Sequence, residues 1–383
     1  MKNVAILLPF LLMAAPAQAQ EVTDETAALV EGLYDKVDQL TAAVNELQAA
    51  VTASTRKKEV KESWTERVSF SGKSYLNYGV LLAGQAAGQP LTLHKNGFDV
   101  TRAYLTVQAR PTVWSTFKLT TDLGRVNDPK GEDSLGGPLK MSFDNRYFVY
   151  IKYAYLDMEE PLLHGKIVLG QQGLPGTELV EHLWNYRWVS KVLTDLQLLQ
   201  TTTDLGVAYK GKAGKYLEYH LAVVNGSGYK EPEADTFKNP MARLTGYPVK
   251  GLTVSLFGSY DVRSLEERSG NPWTVEALAD YKLDRWGNVG VEYARGRNRK
   301  NAALGWGMSS FAIAKPWQES RVVLRYDMYD GDSDSNTDNS HLLIAGLGWD
   351  FNKYLQTLVD VEIDTQDRDN QATTGYWNWQ AAF

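Results

Sequence analysis

No cysteine occurs in this 383-residue chain, which excludes a disulfide framework, thiol chemistry and thiolate metal sites. Histidine is nearly as scarce. His94, His164, His182, His220 and His341 are scattered and show no metal-ligand spacing, so no metal or cofactor is expected. A G-x-S-x-G nucleophile elbow and a Gly-rich phosphate loop are both missing. Positive charge is not in excess either: the formal charge of -6 argues against a nucleic-acid partner. No run approaches eighteen consecutive apolar residues, so no transmembrane helix is expected. A mean hydropathy of -0.35 would ordinarily argue against a membrane protein. It does not argue against a barrel, whose strands alternate and whose loops and lumen are polar.

Aromatic residues, by contrast, are plentiful, with 21 Tyr and 11 Trp. The stretch Thr374-Gly-Tyr-Trp-Asn-Trp-Gln-Ala-Ala-Phe383 places Phe383, Ala381, Trp379, Trp377 and Gly375 on one face and Gln380, Asn378 and Thr374 on the other. That period of two is a strand with an oily and a wet side. As a free edge it would be sticky. As the closing strand of a transmembrane barrel it would be paired on both sides and face lipid.

The first residues carry a different signal. Met1-Lys-Asn is basic, Val4 to Ala15 is mostly apolar, and Ala17-Gln-Ala19 is an A-x-A site, so residues 1–19 read as a secretory signal peptide. Residues 20–55 follow as a predicted coiled coil. Val30, Leu33, Val37, Leu40, Val44, Leu47 and Val51 are spaced 3, 4, 3, 4, 3, 4, with Val at every a and Leu at every d. The competing reading, one amphipathic helix lying on its own domain, would normally show a wider stripe. Val at a with Leu at d favours two parallel strands. Residues 56–66 fit neither period and read as a linker.

From residue 67 to 383 the chain breaks into alternating runs of about ten residues, enough to cross a bilayer when tilted. In Arg321 to Tyr329, Val322, Leu324, Tyr326 and Met328 oppose Arg321, Arg325 and Asp327. Sixteen such runs are legible, an even number as bacterial barrels require. Odd-to-even connections are long (83–96, 124–145, 172–202, 364–373), whereas even-to-odd ones are short, as at Arg110-Pro111-Thr112 and Asn352-Lys353. Long outer loops and short periplasmic turns are the asymmetry of an outer-membrane barrel, and they place the coil in the periplasm. The expected fold is all-β, a 16-stranded antiparallel transmembrane β-barrel preceded by an α-helical coiled coil.

Four features stand out: Asn96-Gly-Phe-Asp-Val-Thr-Arg-Ala-Tyr-Leu-Thr-Val107, Gly165-Lys-Ile-Val-Leu-Gly-Gln-Gln-Gly-Leu-Pro175, Arg325-Tyr-Asp327 and the terminal Phe383. Together they resemble the phosphate-selective porin O and P family, and more loosely the general trimeric porins. The resemblance covers about 70–383. It implies a homotrimer of sixteen-stranded barrels in the outer-membrane lipid and lipopolysaccharide of a Gram-negative cell. It also implies a third loop folded inward and a Phe383 read by the barrel-assembly machinery. A trimeric barrel would impose three strands on the coil, which would then act as a spacer or tether towards peptidoglycan.

A sixteen-stranded barrel leaves an aqueous channel, whose selectivity is set by its narrowest width and the charges lining it. Strand parity turns Arg102, Lys118, Arg146, Lys152, Arg243, Arg321 and Arg325 inward. On the lipid face each would cost about 2–4 kcal/mol at midplane. Asp122, Glu276, Asp280, Glu292, Asp327, Asp360 and Glu362 balance them, and the plain alternative is paired charges lining any wet lumen. The third loop, 172–202, has apolar anchors such as Leu174, Trp188 and Leu193, with a helical turn or two within 180–199. Its Glu178, Glu181, His182, Arg187, Lys191 and Asp195 are candidates for the rim of the opening. No lysine-rich ladder is visible in the sequence, a departure from the phosphate-selective pattern.

The function expected is thus a porin for passive diffusion of small hydrophilic solutes or ions, not an enzyme. Two rivals remain: a sheath for a partner such as an electron-transfer cytochrome, and an outer-membrane hydrolase built on His220 and Glu218.

Overall fold

Each alternating run becomes a strand in the computed structural model, which describes residues 64–383 except 85–95, 126–146, 161–164, 231, 234–235, 264–269, 299–302, 336–337 and 367–369, together with 31–32, 34–39, 41–43 and 45–46. One helical turn, α1 (Trp64–Arg67), leads into the first strand. The sixteen strands are β1 (Val68–Gly84), β2 (Asn96–Thr112), β3 (Ser115–Arg125), β4 (Tyr147–Glu160), β5 (Gly165–Gly173), β6 (Thr203–Ala213), β7 (Leu217–Val224) and β8 (Asn239–Gly246) in the first half. The second half comprises β9 (Leu252–Tyr260), β10 (Trp273–Lys282), β11 (Gly287–Arg297), β12 (Leu304–Ala314), β13 (Ser320–Asp330), β14 (Asn339–Asp350), β15 (Leu355–Gln366) and β16 (Asn370–Ala382). Every strand pairs antiparallel with its sequence neighbours, and β1 pairs with β16 to close the barrel.

The barrel is apolar outside and polar inside. Leu256, Leu347 and Val149 are more than 60 % exposed on the outer wall, while Asp122, Glu292 and Asp360 are at most 2 % exposed. A bilayer hides such an outer surface, and closure leaves no backbone edge unsatisfied within it. The alternation is cleanest in β10–β14 and is interrupted by register shifts in the β1–β4 ladders. On β13, outward Leu324 and Tyr326 alternate with inward Arg325 and Asp327.

Two boundaries differ from expectation. Within the expected loop 364–373, residues 364–366 and 370–373 are strand, because the β15–β16 ladder continues through Asp364↔Ala372 to Gln366↔Asn370. The chain from Trp64 onward, expected as linker, is already helical and belongs to the barrel unit, which begins at Ser63.

The third loop fills part of the barrel. Leu174 N–H donates to Thr202 O at 3.1 Å, closing its base. Helix α2 (Pro175–Trp184) starts five residues before the expected helical stretch, since Pro175 at its first position needs no N–H partner and has its φ preset. It stops at Asn185, a left-handed C-cap (φ 57). A second turn, α3 (Leu193–Leu196), follows. Val180, Trp184, Tyr186, Trp188 and Val192 pack against Leu278, Phe311, Ile313, Val323 and Leu358, inward residues of β10, β12, β13 and β15. The loop covers that apolar strip, and its Leu174 packs on a second one formed by Val168, Ala208, Ala222 and Val224 of β5–β7.

In the separate N-terminal unit, 1–62, the described residues within 31–46 are helical and Val37 is 48 % exposed. The signal peptide and the heptad positions Val30, Leu33, Leu40, Val44, Leu47 and Val51 lie outside the described residues.

Candidate functional site in the barrel lumen

Opposite the strip covered by the third loop, the lumen stays open. A cavity of about 750 Å³ runs between the inner faces of β1–β4 and the loop. Lys73, Lys118 and Lys152 reach it from the wall, Lys353 from the β14–β15 turn, and Glu178, Glu181, His182 and Arg187 from the loop. Tyr75, Tyr104 and Tyr153 supply its rings.

The lysines and the loop charges are held differently. Lys118 Nζ stands 5.0 Å from the Tyr153 ring centre and 6.0 Å from that of Tyr155. Lys152 Nζ stands 4.9 Å from the Tyr104 ring centre and donates to Tyr104 Oη at 3.4 Å. Among the described residues, Lys73, Lys118, Lys152 and Lys353 form no ion pair with a carboxylate. The loop, by contrast, neutralises itself. Arg187 pairs with Glu181 at 2.9 Å and Asp195 at 3.3 Å, and Lys191 pairs with Asp195 at 3.5 Å. Glu178 accepts from Lys210 Nζ at 2.8 Å, and His220 Nδ1 lies 3.4 Å away. Desolvation pulls the Glu178 carboxyl upward, but His220 and the Lys210 ammonium outweigh it and hold it at about 2.

The remaining cations anticipated as inward-facing are engaged in fixing structure. Arg102 donates to Asp122 Oδ2 at 2.6 Å and Tyr150 Oη at 2.5 Å. Arg243 Nη1 donates to Pro175 O at 2.6 Å, anchoring the start of α2. Arg325 forks onto Asp327 at 2.5 and 2.9 Å, donates to Lys191 O at 2.6 Å, and lies 4.9 Å from the Trp184 ring centre. Arg321 pairs with Asp350 and caps turn carbonyls of Gln318 and Ser320, so it is not part of the cavity lining. Arg146 lies outside the described residues.

Lys118, Lys152, Glu178, Glu181 and Arg187 therefore meet at one opening, while Arg243, Lys191 and Arg325 hold the loop beside it. Lys73 and Lys353 were missed. Lys73 shares its inward parity with Ser71 and Tyr75, a signal present in the sequence. Lys353 sits in a turn, where no parity exists. Together they form the basic lining that did not show as a continuous run.

The histidine chemistry also comes out differently. His220 is buried and turns towards Glu178, whereas Glu218 is engaged by Lys212 at 2.5 Å and by Tyr247 Oη at 2.8 Å, so these two do not form a pair. Among the described residues no three His, Asp or Glu side chains converge as a metal site.

No protein-family model matches the chain, and no curated protein matches it in sequence. Solved structures do. Salmonella typhi OmpF, in complex with daunomycin, superimposes with a TM-score of 0.61 at 13 % identity over 82 % of this chain and 97 % of that one. An anion-selective porin from Comamonas acidovorans gives 0.59 at 11 % identity over 82 % and 99 %. The outer-membrane channel DcaP of Acinetobacter baumannii gives 0.58 at 11 % identity over 82 % and 97 %. The chain thus shares the fold of outer-membrane porins.

Proposed function

We propose that this chain forms a water-filled channel in a Gram-negative outer membrane, open to passive diffusion of small hydrophilic solutes and favouring anions. The observation carrying this reading is the charge balance along the open side. Glu178, Glu181 and Asp195 are each bound by a cation, leaving Lys73, Lys118, Lys152 and Lys353 without a carboxylate partner among the described residues. A passing anion there meets ammonium groups whose charge is not already spent, inside walls that focus the field. The third loop narrows the path by occupying the side next to β10–β15. The similarity in fold to a porin described as anion-selective is consistent with this reading.

The rest of the chain fits the same function. We place the N-terminal heptads in the periplasm as a trimeric coil reaching towards peptidoglycan, and Phe383, whose backbone exchanges hydrogen bonds with Gly72, as the aromatic engaged during assembly. The outer wall would meet lipid, lipopolysaccharide and the other two subunits. Phosphate is a plausible passenger by charge alone; a phosphate-specific site would need anion-binding groups beyond four separated ammoniums.

Single-channel recording of the purified protein in a planar bilayer under a KCl gradient tests the proposal. The expected reversal potential has the sign of chloride selectivity, and millimolar phosphate leaves the chloride current unblocked. A cation-selective current would refute the anion reading, and a barrel without conductance would refute the channel.

A further inference from the structure

The inner wall is not short of negative charge. Glu276 and Asp280 on β10, Glu292 on β11 and Asp327 on β13 all point inward, yet each is at most 5 % exposed. What conceals them is the third loop. Gln200 Nε2 donates to Glu276 Oε2 at 2.7 Å, and the neighbouring Thr274 hydroxyl donates to Leu199 O at 2.9 Å. Asn288 Nδ2 bridges Asp280 Oδ2 at 2.7 Å and Leu183 O at 3.3 Å. Arg325 bridges Asp327 and the Lys191 carbonyl. Leu193, fully buried, packs with Ala294 and Tyr329, which flank Glu292 and Asp327 on their own strands. Its fit depends on Gly307, where a Cβ would stand 3.0 Å from Leu193 Cδ2.

The two sides of the lumen therefore differ in what covers their charges: Lys73, Lys118, Lys152 and Lys353 line the cavity, whereas Glu276, Asp280 and Glu292 lie beneath the loop. We propose that the third loop is a charge mask that decides the sign of the pore's selectivity. With the loop docked, an ion in the cavity meets the lysines together with Glu178 and Glu181, whose charges Lys210 and Arg187 already balance. With it lifted, Glu276, Asp280 and Glu292 join the lining while Asp327 stays paired with Arg325, and the preference passes to cations. This inference rests on the anion-favouring reading above. It adds that the wall without its loop carries the opposite preference, which narrowing alone does not require.

The test compares reversal potentials near 1 M salt, where screening leaves only charges within about 3 Å of an ion's path effective. Four pores are needed: the native barrel, native with Glu276→Gln and Glu292→Gln, a barrel with residues 177–199 replaced by a short Gly-Ser linker, and that linker barrel with both substitutions. In the native pore the two substitutions should leave the reversal potential unchanged. The linker barrel should reverse its sign, with a several-fold change in the anion-to-cation permeability ratio, and adding the substitutions should undo much of that change. If the linker barrel fails to fold, the variant with Leu193→Ala and Trp184→Ala takes its place. Retained anion preference once the loop is lifted overturns the mask. So does an equal effect of the substitutions with the loop docked. A native pore that is already cation-selective instead fails the underlying reading, and that result is recognisable before any variant is made.

Discussion

Trp184→Ala should release the third loop while leaving the barrel standing. The Trp184 side chain is 1 % exposed, with its ring 5.6 Å from that of Phe311 on β12 and 5.5 Å from that of Tyr186. It also carries the Arg325 guanidinium at 4.9 Å and donates its Nε1–H to Ser190 O at 2.9 Å. Truncating a buried tryptophan costs about 3–5 kcal/mol. Because the ring joins loop to wall, that cost falls on docking rather than on the strand ladder. At about 1.4 kcal/mol per tenfold, the undocked population rises roughly a hundred- to a few thousand-fold. Trypsin reads this directly, since Arg187 and Lys191 are cleavage sites within the loop and both are paired when it is docked. When opening is fast relative to cutting, the rate follows the open population. Cleavage at these two positions should accelerate by at least a hundredfold, with the barrel's melting temperature little changed. An increase below tenfold, or a fall in barrel stability of similar size, would refute the assignment of Trp184 as a loop anchor.

Three further outcomes are expected. Lys118→Gln with Lys152→Gln should lower the chloride-to-potassium permeability ratio several-fold without closing the pore, measured under a KCl gradient. The Glu178 carboxyl is depressed from 4.5 to about 2, so its contribution to loop docking is complete above pH 4.5 and lost as pH falls from there through 2. Tryptophan fluorescence of the barrel should therefore change across that window in the native protein and change less in Glu178→Gln. Gly307→Leu should displace Leu193 from its seat, and since a Cβ there also stands 3.1 Å from Tyr329 Cδ2 and 3.2 Å from Met328 O, hydrogen exchange should rise along α3 and at the adjoining end of the β12–β13 ladder.

Sequence periodicity carried most of the barrel because each strand has two different solvents. A residue facing lipid and one facing water differ by several kcal/mol in their preferences, so parity is enforced locally and is readable in one strand at a time. On that ground alone Arg102, Lys118, Lys152 and Arg325 are read as inward-facing. Partnership is not local. Whether Lys118 is free and Arg102 neutralised depends on Asp122, twenty positions away from Arg102 and on a strand that also carries Lys118. Likewise, the apolar inward residues Phe311 and Ile313 look like parity errors in isolation and make sense only once Trp184 covers them. The early start of α2 was signalled by Pro175, whereas the strand pairing across 364–373 depends on register that a polar, uneven segment does not display.

The pairing of β1 with β16 has a consequence for biogenesis. Lys73 lies opposite Ala382, so the seam joins the earliest and latest strands of the barrel. Every other ladder can form between neighbours as they emerge, but this one has the longest loop to close and must wait for the last strand. Until then both seam strands present unpaired backbone, the condition under which chains pair with one another instead. A chain interrupted anywhere before β16 therefore yields an open, edge-bearing sheet instead of a smaller barrel. The seam thus makes closure depend on the last strand of the barrel.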